Sequence, residues 1–448
     1  MITLRKYSVD MEFDIFEVEG LSREEVEKIA FETGFCKRKS GKLIIPDFLH
    51  SFYLHSLDGF TSYNDIAGII FNKTDVSLTK QAYQQRMSDE CVAFFERILE
   101  KIIESKHSSK ITNEQVWQDK FNRILVQDST IIRLPSRLFA EFSGVKNAHA
   151  TVCNARIQGV YDLISRRFTQ FSIDPYSKND LSAAKDIKIE PKDLVLRDRG
   201  YFCTNADLDL AEKKADSIYR FKYGTKIYNT ESDKEFNLLN YLRKYNSIDK
   251  VVSIGTNEKH LVRIVAEPVT EEVANLRRMK AKKESSHKKP SKELLALMEW
   301  TIFITSIKDK EINFDIIFNL YSLRWRIENI FKTWKSNFNF NKIQNVCAKQ
   351  LKVLLTARLI MITFFNNWLY APLSKLVKKR THKQISFMKL MNYIVKNKDI
   401  IPKLINLKKL KSNDFDALVR YSTYDLRKRE NFEDRLDSIL VDLKCLQE

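Results

Sequence analysis

Residues 321–335, YSLRWRIENIFKTWK, decide how the chain is read. Taken as one amphipathic helix at about 100° per residue, they place Tyr321, Arg324, Glu328 and Lys335 within a sector of roughly 60°. Leu320, Leu323, Ile327, Ile330 and Trp334 gather on a separate apolar stripe, suited to docking on a core. A lone acid is thereby fixed on a rigid element between an arginine, a tyrosine and a lysine. Phosphoryl transfer on DNA needs an acid that holds a metal beside groups that grip phosphates. The same pattern also fits a solvated helix face with ordinary charge pairs, so the rest of the chain has to discriminate.

Composition narrows the partner. Lys and Arg number 76 against 58 Asp and Glu, a net charge of +18 over 448 residues. Such an excess points to a polyanion, nucleic acid above all, although a genome that favours Lys codons raises the same count. Apolar content of 44% excludes a disordered chain and supplies material for two or three domains. Six cysteines lie far apart without a CxxC pair, which argues for a reducing cytoplasm and against both disulfides and zinc. MITLRKYSVDMEF at the start lacks a continuous apolar run and does not read as a secretory signal. Residues 354–373 come nearest to a membrane span, but Arg358, Asn366 and Asn367 interrupt them, and a buried helix with no membrane partner is the expectation.

Two further acids join Glu328. In RILVQDSTIIRLP, alternation puts Ile124, Val126, Asp128, Thr130 and Ile132 on one strand face, where an unpaired aspartate is costly. In DLVLRDRGYF the apolar run ends at Asp198, before a turn at Arg199 and Gly200. Singly, Asp128 could bond a neighbouring strand and Asp198 could cap the following helix. Together with Glu328 they supply hard oxygen ligands for two Mg²⁺ ions about 4 Å apart. Asp162, Asp193, Glu299 and Asp315 compete for the same assignment.

These motifs resemble the Asp-Asp-Glu transposases of bacterial insertion sequences, in the branch called the insertion-sequence-four family. Asp128 in VQDST, Asp198 in LRDRGYF and the spacing Tyr321-x2-Arg324-x3-Glu328-x6-Lys335 carry the likeness. What the resemblance implies is an α/β, RNase H-like catalytic core with a β-rich insertion and helical flanks. It also implies Asp128, Asp198 and Glu328 as catalytic metal ligands for Mg²⁺, with Mn²⁺ able to substitute. Tyr321, Arg324 and Lys335 would contact the element's end near the cut. The partners implied are double-stranded DNA, both terminal repeat and target, and a second copy in the DNA complex. Members of this branch are described as forming a hairpin end with a flipped base, which Trp300 or Trp325 would stack. A nuclease of the same fold without strand transfer, and an inactive DNA-binding derivative, are the rival readings.

The expected division is a helical DNA-binding region over 1–112, a first core part over 113–224, a β-rich insertion over 225–308, a second core part over 309–372 and a helical region over 373–448. Within the first, a helix from about Ser62, a turn at 72–75 and a helix capped by Ser77 resemble a helix-turn-helix that exposes Gln81, Gln84, Gln85 and Arg86. Within the insertion, VVSIGTNEKHLVRIVAE reads as a hairpin and EWTIFITSI as a strand. LRRMKAKKESSHKKPSK carries eight Lys or Arg between 277 and 292, and reads as a solvated loop able to track a DNA backbone through Arg277, Arg278, Lys280, Lys282 and Lys283. KRENF at 428–432, with Arg427 and Arg429, also looks family-like but has no evident role.

Overall fold

The computed structural model describes residues 21–38, 44–56, 62–105, 120–146, 151–256, 259–284, 289–338, 340–343, 346–425 and 430–445. The first residues and Arg427 and Arg429 therefore lie outside the described residues. Two compact units result: Met1–Asn113, Ser129–Lys178 and Ile327–Asn431 form one, and Glu114–Asp128, Asn179–Arg326 and Phe432–Glu448 the other.

Ten strands are described: β1 (Arg123–Leu134), β2 (Gly144–Lys146), β3 (Thr151–Asp162), β4 (Arg167–Pro175), β5 (Asp193–Arg197), β6 (Asp216–Arg220), β7 (Ile227–Tyr228), β8 (Ile248–Ile254), β9 (His260–Pro268) and β10 (Trp300–Thr305). Their order is β2-β3-β1-β5-β6-β10-β9-β8-β7, with β4 also on β3. β1 runs from the second unit into the first.

In the second unit, β1, β5 and β6 pair in parallel. Parallel pairing needs a crossover, and the helix Thr204–Glu212 supplies it between β5 and β6. Leu194, Val195 and Leu196 are wholly buried, as expected for a strand covered on both faces. The hairpin read at 251–267 is present as β8 and β9, and Gly255 turns with φ of +98°. β10 pairs antiparallel with both β6 and β9, so the strands beyond 225 continue the same sheet.

The basic run is not a loop where it is described: Glu271–Glu284 is a helix. LRRMKAKKE lacks any Gly or Pro, and its straight side chains favour helix, which the charge density hid. The C-terminal helix Phe432–Cys445 buries Leu436, Ile439, Leu440 and Leu443, and packs on the helix Phe314–Ser322.

In the first unit, the helix Asp89–Glu104 packs its apolar face, Phe94, Phe95 and Ile98 included, on the helix Ala348–Phe364. The latter continues through the π-turn Phe365–Tyr370 into Ala371–Thr381. This stretch has the length and apolarity of a membrane span, yet 94% of its most apolar window is buried inside the protein. Its polar interruptions bond within the protein: Arg358 donates to the Phe340 and Lys342 carbonyls at 3.0 and 3.1 Å, and Asn366 donates to the Arg166 carbonyl. Burial pushes the Arg358 guanidinium down to about 10.

The N-terminal pair of helices is Tyr63–Thr74, capped by Ser62, and Lys80–Gln85. The cap of the second is Thr79 rather than Ser77, its hydroxyl accepting from the Ala82 amide at 3.3 Å. Gln81, Gln84 and Gln85 are exposed, while Arg86 folds back to donate to the Ala82 carbonyl at 2.7 Å.

Trp334 is fully buried among Phe168, Phe171, Phe331 and Phe340, with ring centroids 4.9–5.9 Å away. Trp334→Ala should lower stability by about 3–5 kcal/mol, the usual loss for an aromatic removed from a packed core. Denaturant titration checks it, and a loss under about 1 kcal/mol would mean that the cluster collapses onto the gap.

Candidate active site

The site grows out of the sheet register. β1 and β5 run in parallel with Arg123 opposite Asp193, ending at Gln127 opposite Arg197. The next residue on each side is an aspartate, so Asp128, within β1, and Asp198, just past β5, follow side by side where the parallel pairing ends, with strands about 4.8 Å apart. β5 and β6 pair with Arg197 opposite Tyr219, which carries the row on to Arg220. Asp128, Asp198 and Arg220 thus lie in one row at the carboxyl edge of the parallel pairing, beyond which β1 alone runs on to Leu134; open α/β sheets bind ligands outside such edges.

The residues just before both acids are clamped together. Gln127 donates to the Ala183 carbonyl at 3.0 Å, and Arg197 donates to the Ala184 carbonyl at 2.7 Å and to the Tyr219 hydroxyl at 3.2 Å. Both side chains are buried, and together they bind consecutive carbonyls of one turn. Neither was singled out from sequence, because a buried Gln or Arg reads there as an ordinary break in an apolar run.

The stretch 321–335 is not one helix. Phe314–Ser322 ends and Trp325–Asn337 begins, with a tightened turn between. The amides of Leu323, Arg324 and Arg326 each bond the carbonyl three residues back, at 3.0–3.1 Å. No Gly or Pro announces this break. The turn gives Arg324 the separate direction it uses: its guanidinium donates to Asp128 at 3.2 Å. Arg324 also lies over the rings of Tyr321 and Trp325, at 5.9 and 5.5 Å. Tyr321 is buried, which raises its pKa; the charges of Arg324, Asp198, Arg220 and Arg199 act on it in turn.

Asp128, Asp198, Tyr321 and Arg324 are thereby brought together within one unit. Glu328 is half-buried in the first turn of Trp325–Asn337, on residues counted with the other unit. Lys335, further along that helix, donates to the Ile131 carbonyl at 2.9 Å, and burial lowers its pKa.

Three of the four rival acids are engaged elsewhere. Arg123 holds Asp193 at 2.8 and 2.6 Å, Asp162 accepts from the Ile164 and Ser165 amides, and Glu299 pairs with Arg278.

Sequence reading missed an arginine-lined pocket of about 410 Å³, open to solvent, formed by Arg199, Arg220 and Arg277 with Phe221, Tyr223 and Trp300. Burial, then the charges of Arg277 and Arg199, push Arg220 down to about 10, against the opposing pull of Tyr321 and Asp198. The available signal was the register itself, which puts Arg220 beside Asp198. Arg277 donates to the Trp300 carbonyl at 3.1 Å and to the Thr301 hydroxyl at 2.9 Å, and Arg278 to the Leu295 carbonyl at 3.2 Å. Trp300 is buried, its indole N–H given to the Asn246 carbonyl at 2.7 Å, whereas Trp325 is 54% exposed.

Asp128 and Asp198 fit a hard divalent cation: they are half-buried carboxylates, and Asp198 makes no side-chain capping bond to the turn that follows. Among the described residues no three His, Cys, Asp or Glu side chains gather closely enough to hold a metal ion. Arg324 supplies positive charge beside Asp128.

A family model, the transposase DDE domain, matches residues 119–364, more than half of the chain and a span that holds all of these acids. The chain belongs to this DDE transposase family. Among its relatives, the transposase for insertion sequence element IS231B of Bacillus thuringiensis subsp. berliner is 26% identical over 420 residues, 86% of each chain. That for IS231D of B. thuringiensis subsp. finitimus is 27% identical over 83% of each, and that for IS1151 of Clostridium perfringens is 26% identical over 84% of each. Membership of the DDE transposase family implies dependence on a divalent metal.

If the clamp fixes this end of the ladder, Gln127→Leu removes one of two donors to the Ala183 carbonyl, which keeps the Asp186 amide at 3.2 Å, and should cost about 0.5–1.5 kcal/mol. Thermal and denaturant unfolding measure it; an unchanged midpoint would show the bond to be dispensable.

Proposed function

We propose that this DDE transposase cleaves the ends of an insertion sequence and joins the freed 3′ ends to target DNA. The observation that carries the reading is the pair Asp128–Asp198 side by side where the β1–β5 parallel pairing ends, with Arg324 already charge-paired to Asp128. Asp128, Asp198 and Glu328 are the proposed ligands of two Mg²⁺ ions, for which Mn²⁺ would substitute. When bound, such ions activate the attacking oxygen and stabilise the leaving one. Water attacks the phosphodiester in the first step, and the freed 3′-hydroxyl attacks a target phosphate in the second, each an in-line displacement.

The chain's own groups position the DNA. Arg324 and Tyr321 stand beside the strand ends, where a guanidinium and a phenol grip phosphate oxygens. Lys335 does the same further along the strand. The cluster of Arg199, Arg220 and Arg277 carries no carboxylate of its own in the pocket lining, and so favours an anionic occupant such as the phosphate of an extruded nucleotide. Trp325, exposed beside Arg324, offers the stacking face. On the basic helix, Lys280, Lys282 and Lys283 are turned outward enough to track a phosphate backbone, with Arg277 and Arg278 anchoring them. Gln81, Gln84 and Gln85 would read bases of the terminal repeat. The protein would act in the cytoplasm on nucleoid DNA, as a dimer in its DNA complex.

Asp128→Ala, Asp198→Ala and Glu328→Ala should each abolish Mg²⁺-dependent cleavage of element-end DNA, with binding within a few-fold, because ligands of one centre act as a unit. Substantial cutting by any one variant would remove that residue from the set.

The two DNA surfaces separate in a second experiment. Neutralising Lys280, Lys282 and Lys283 should weaken binding to all sequences and reduce the slope of log K against log salt by about 0.9 per lost contact. Replacing Gln81, Gln84 and Gln85 should instead erase preference for end over scrambled DNA, each contact being worth about 1–3 kcal/mol. Unchanged slope or preference, in footprinting and salt titration, would assign that surface another role.

A further inference from the structure

The C-terminal helix reaches the turn that carries Arg324. Arg326 is 4% exposed and Glu433 is wholly buried, and their side chains form an ion pair at 2.9 Å. The guanidinium also lies over the Phe432 ring, 4.7 Å from its centroid. Phe432 ends the KRENF motif that the sequence left without a role, and Glu433 directly follows it. Both partners belong to the same compact unit as Asp128 and Asp198.

The position of Arg326 gives the pair its consequence. Its amide bonds the Leu323 carbonyl at 3.0 Å and closes the tight turn. Two residues back, with Trp325 between, is Arg324, whose guanidinium is on Asp128; two residues on is Glu328, on the same helix as Arg326. The turn is therefore held at two points, by Asp128 through Arg324 and by Glu433 through Arg326. A helix that starts at such a turn has its rotation about its own axis set there, at about 100° per residue. A buried ion pair is a poor way to gain stability, since desolvation offsets most of the attraction, and fixing one arrangement is its better-attested use.

We infer that Glu433 is a positioning residue for catalysis: through Arg326 it sets the phase of the Trp325–Asn337 helix, and with it the direction of Glu328. This rests on the transposase reading, and makes the last helix of the chain part of the catalytic apparatus. Neither residue touches the reacting atoms. The requirement is directional, so an uncharged but isosteric partner is insufficient even where it packs.

The test uses the full chain and a duplex of the element's end. Wild type must cleave it in Mg²⁺ and Asp128→Ala must not; if that comparison fails, it is the transposase reading that falls. Given it, Glu433→Gln should cleave at least tenfold more slowly at saturating DNA, while binding the duplex within twofold, measured well below its melting temperature. The exchange of Arg326→Glu with Glu433→Arg should recover part of the lost rate, since it restores the pair with reversed polarity. Cleavage by Glu433→Gln within twofold of wild type would overturn the inference. So would parallel loss of binding and cleavage with a lowered melting temperature, which would make the pair ordinary core. If Glu433→Gln does not give a cooperative melt, Arg326→Lys serves: it keeps the charge but loses the planar fork over Phe432. Slowed cleavage at unchanged binding then supports the inference, and wild-type cleavage overturns it.

Discussion

The parallel ladder between β1 and β5 is the constraint on which the candidate site depends. Side-chain direction alternates along a strand, so a slip of one residue would turn Asp128 away from its face and lose its alignment with Asp198. Three features oppose such a slip. Arg123 holds Asp193 across the ladder's start, the apolar triplet Leu194–Leu196 is buried on both faces, and Gln127 with Arg197 grips consecutive carbonyls at its end. Placing two carboxylates side by side is electrostatically unfavourable, and the surrounding arginines Arg324, Arg220 and Arg199 offset it.

Those cations divide by what they bond. Arg324 faces a carboxylate, whereas Arg199, Arg220 and Arg277 crowd one another around a pocket, and Arg220 is pushed down to about 10 by burial and by its neighbours' charges. Mutual repulsion of this kind is relieved by an anion. The DDE family membership and the pocket's chemistry therefore point to the same class of occupant by separate routes.

Much of the fold was legible in sequence because period-2 and period-3.6 patterns report burial directly. The strand face Ile124–Ile132, the β8–β9 hairpin and the buried character of 354–373 were all read in this way. The break at Leu323–Arg324 was not, because no Gly or Pro marks it and Leu320, Leu323 and Ile327 are buried on either side. It arises from tertiary bonds of Arg324 and Arg326 to residues about 200 positions before and 107 positions after. The helix at 271–284 was hidden for the opposite reason: its charges suggested a loop, while its helix-forming residues decided the backbone. Of the site, the residue types were evident, but Arg220 and the Gln127–Arg197 clamp required knowing which strands are neighbours.

The buried arginines have a chemical consequence. Among the described residues five arginines are buried, at 197, 263, 324, 326 and 358, and no lysine is. Guanidinium keeps its charge and spreads it over five donors that carbonyls and carboxylates can saturate, which a compact ammonium does not match. Lysine acylation, enzymatic or by reagent, therefore acts on charge outside the fully buried framework. It would lower the chain's attraction for polyanions by degrees while leaving every cation inside the framework untouched, so electrostatic reach and architecture are carried by different side chains and can be altered separately.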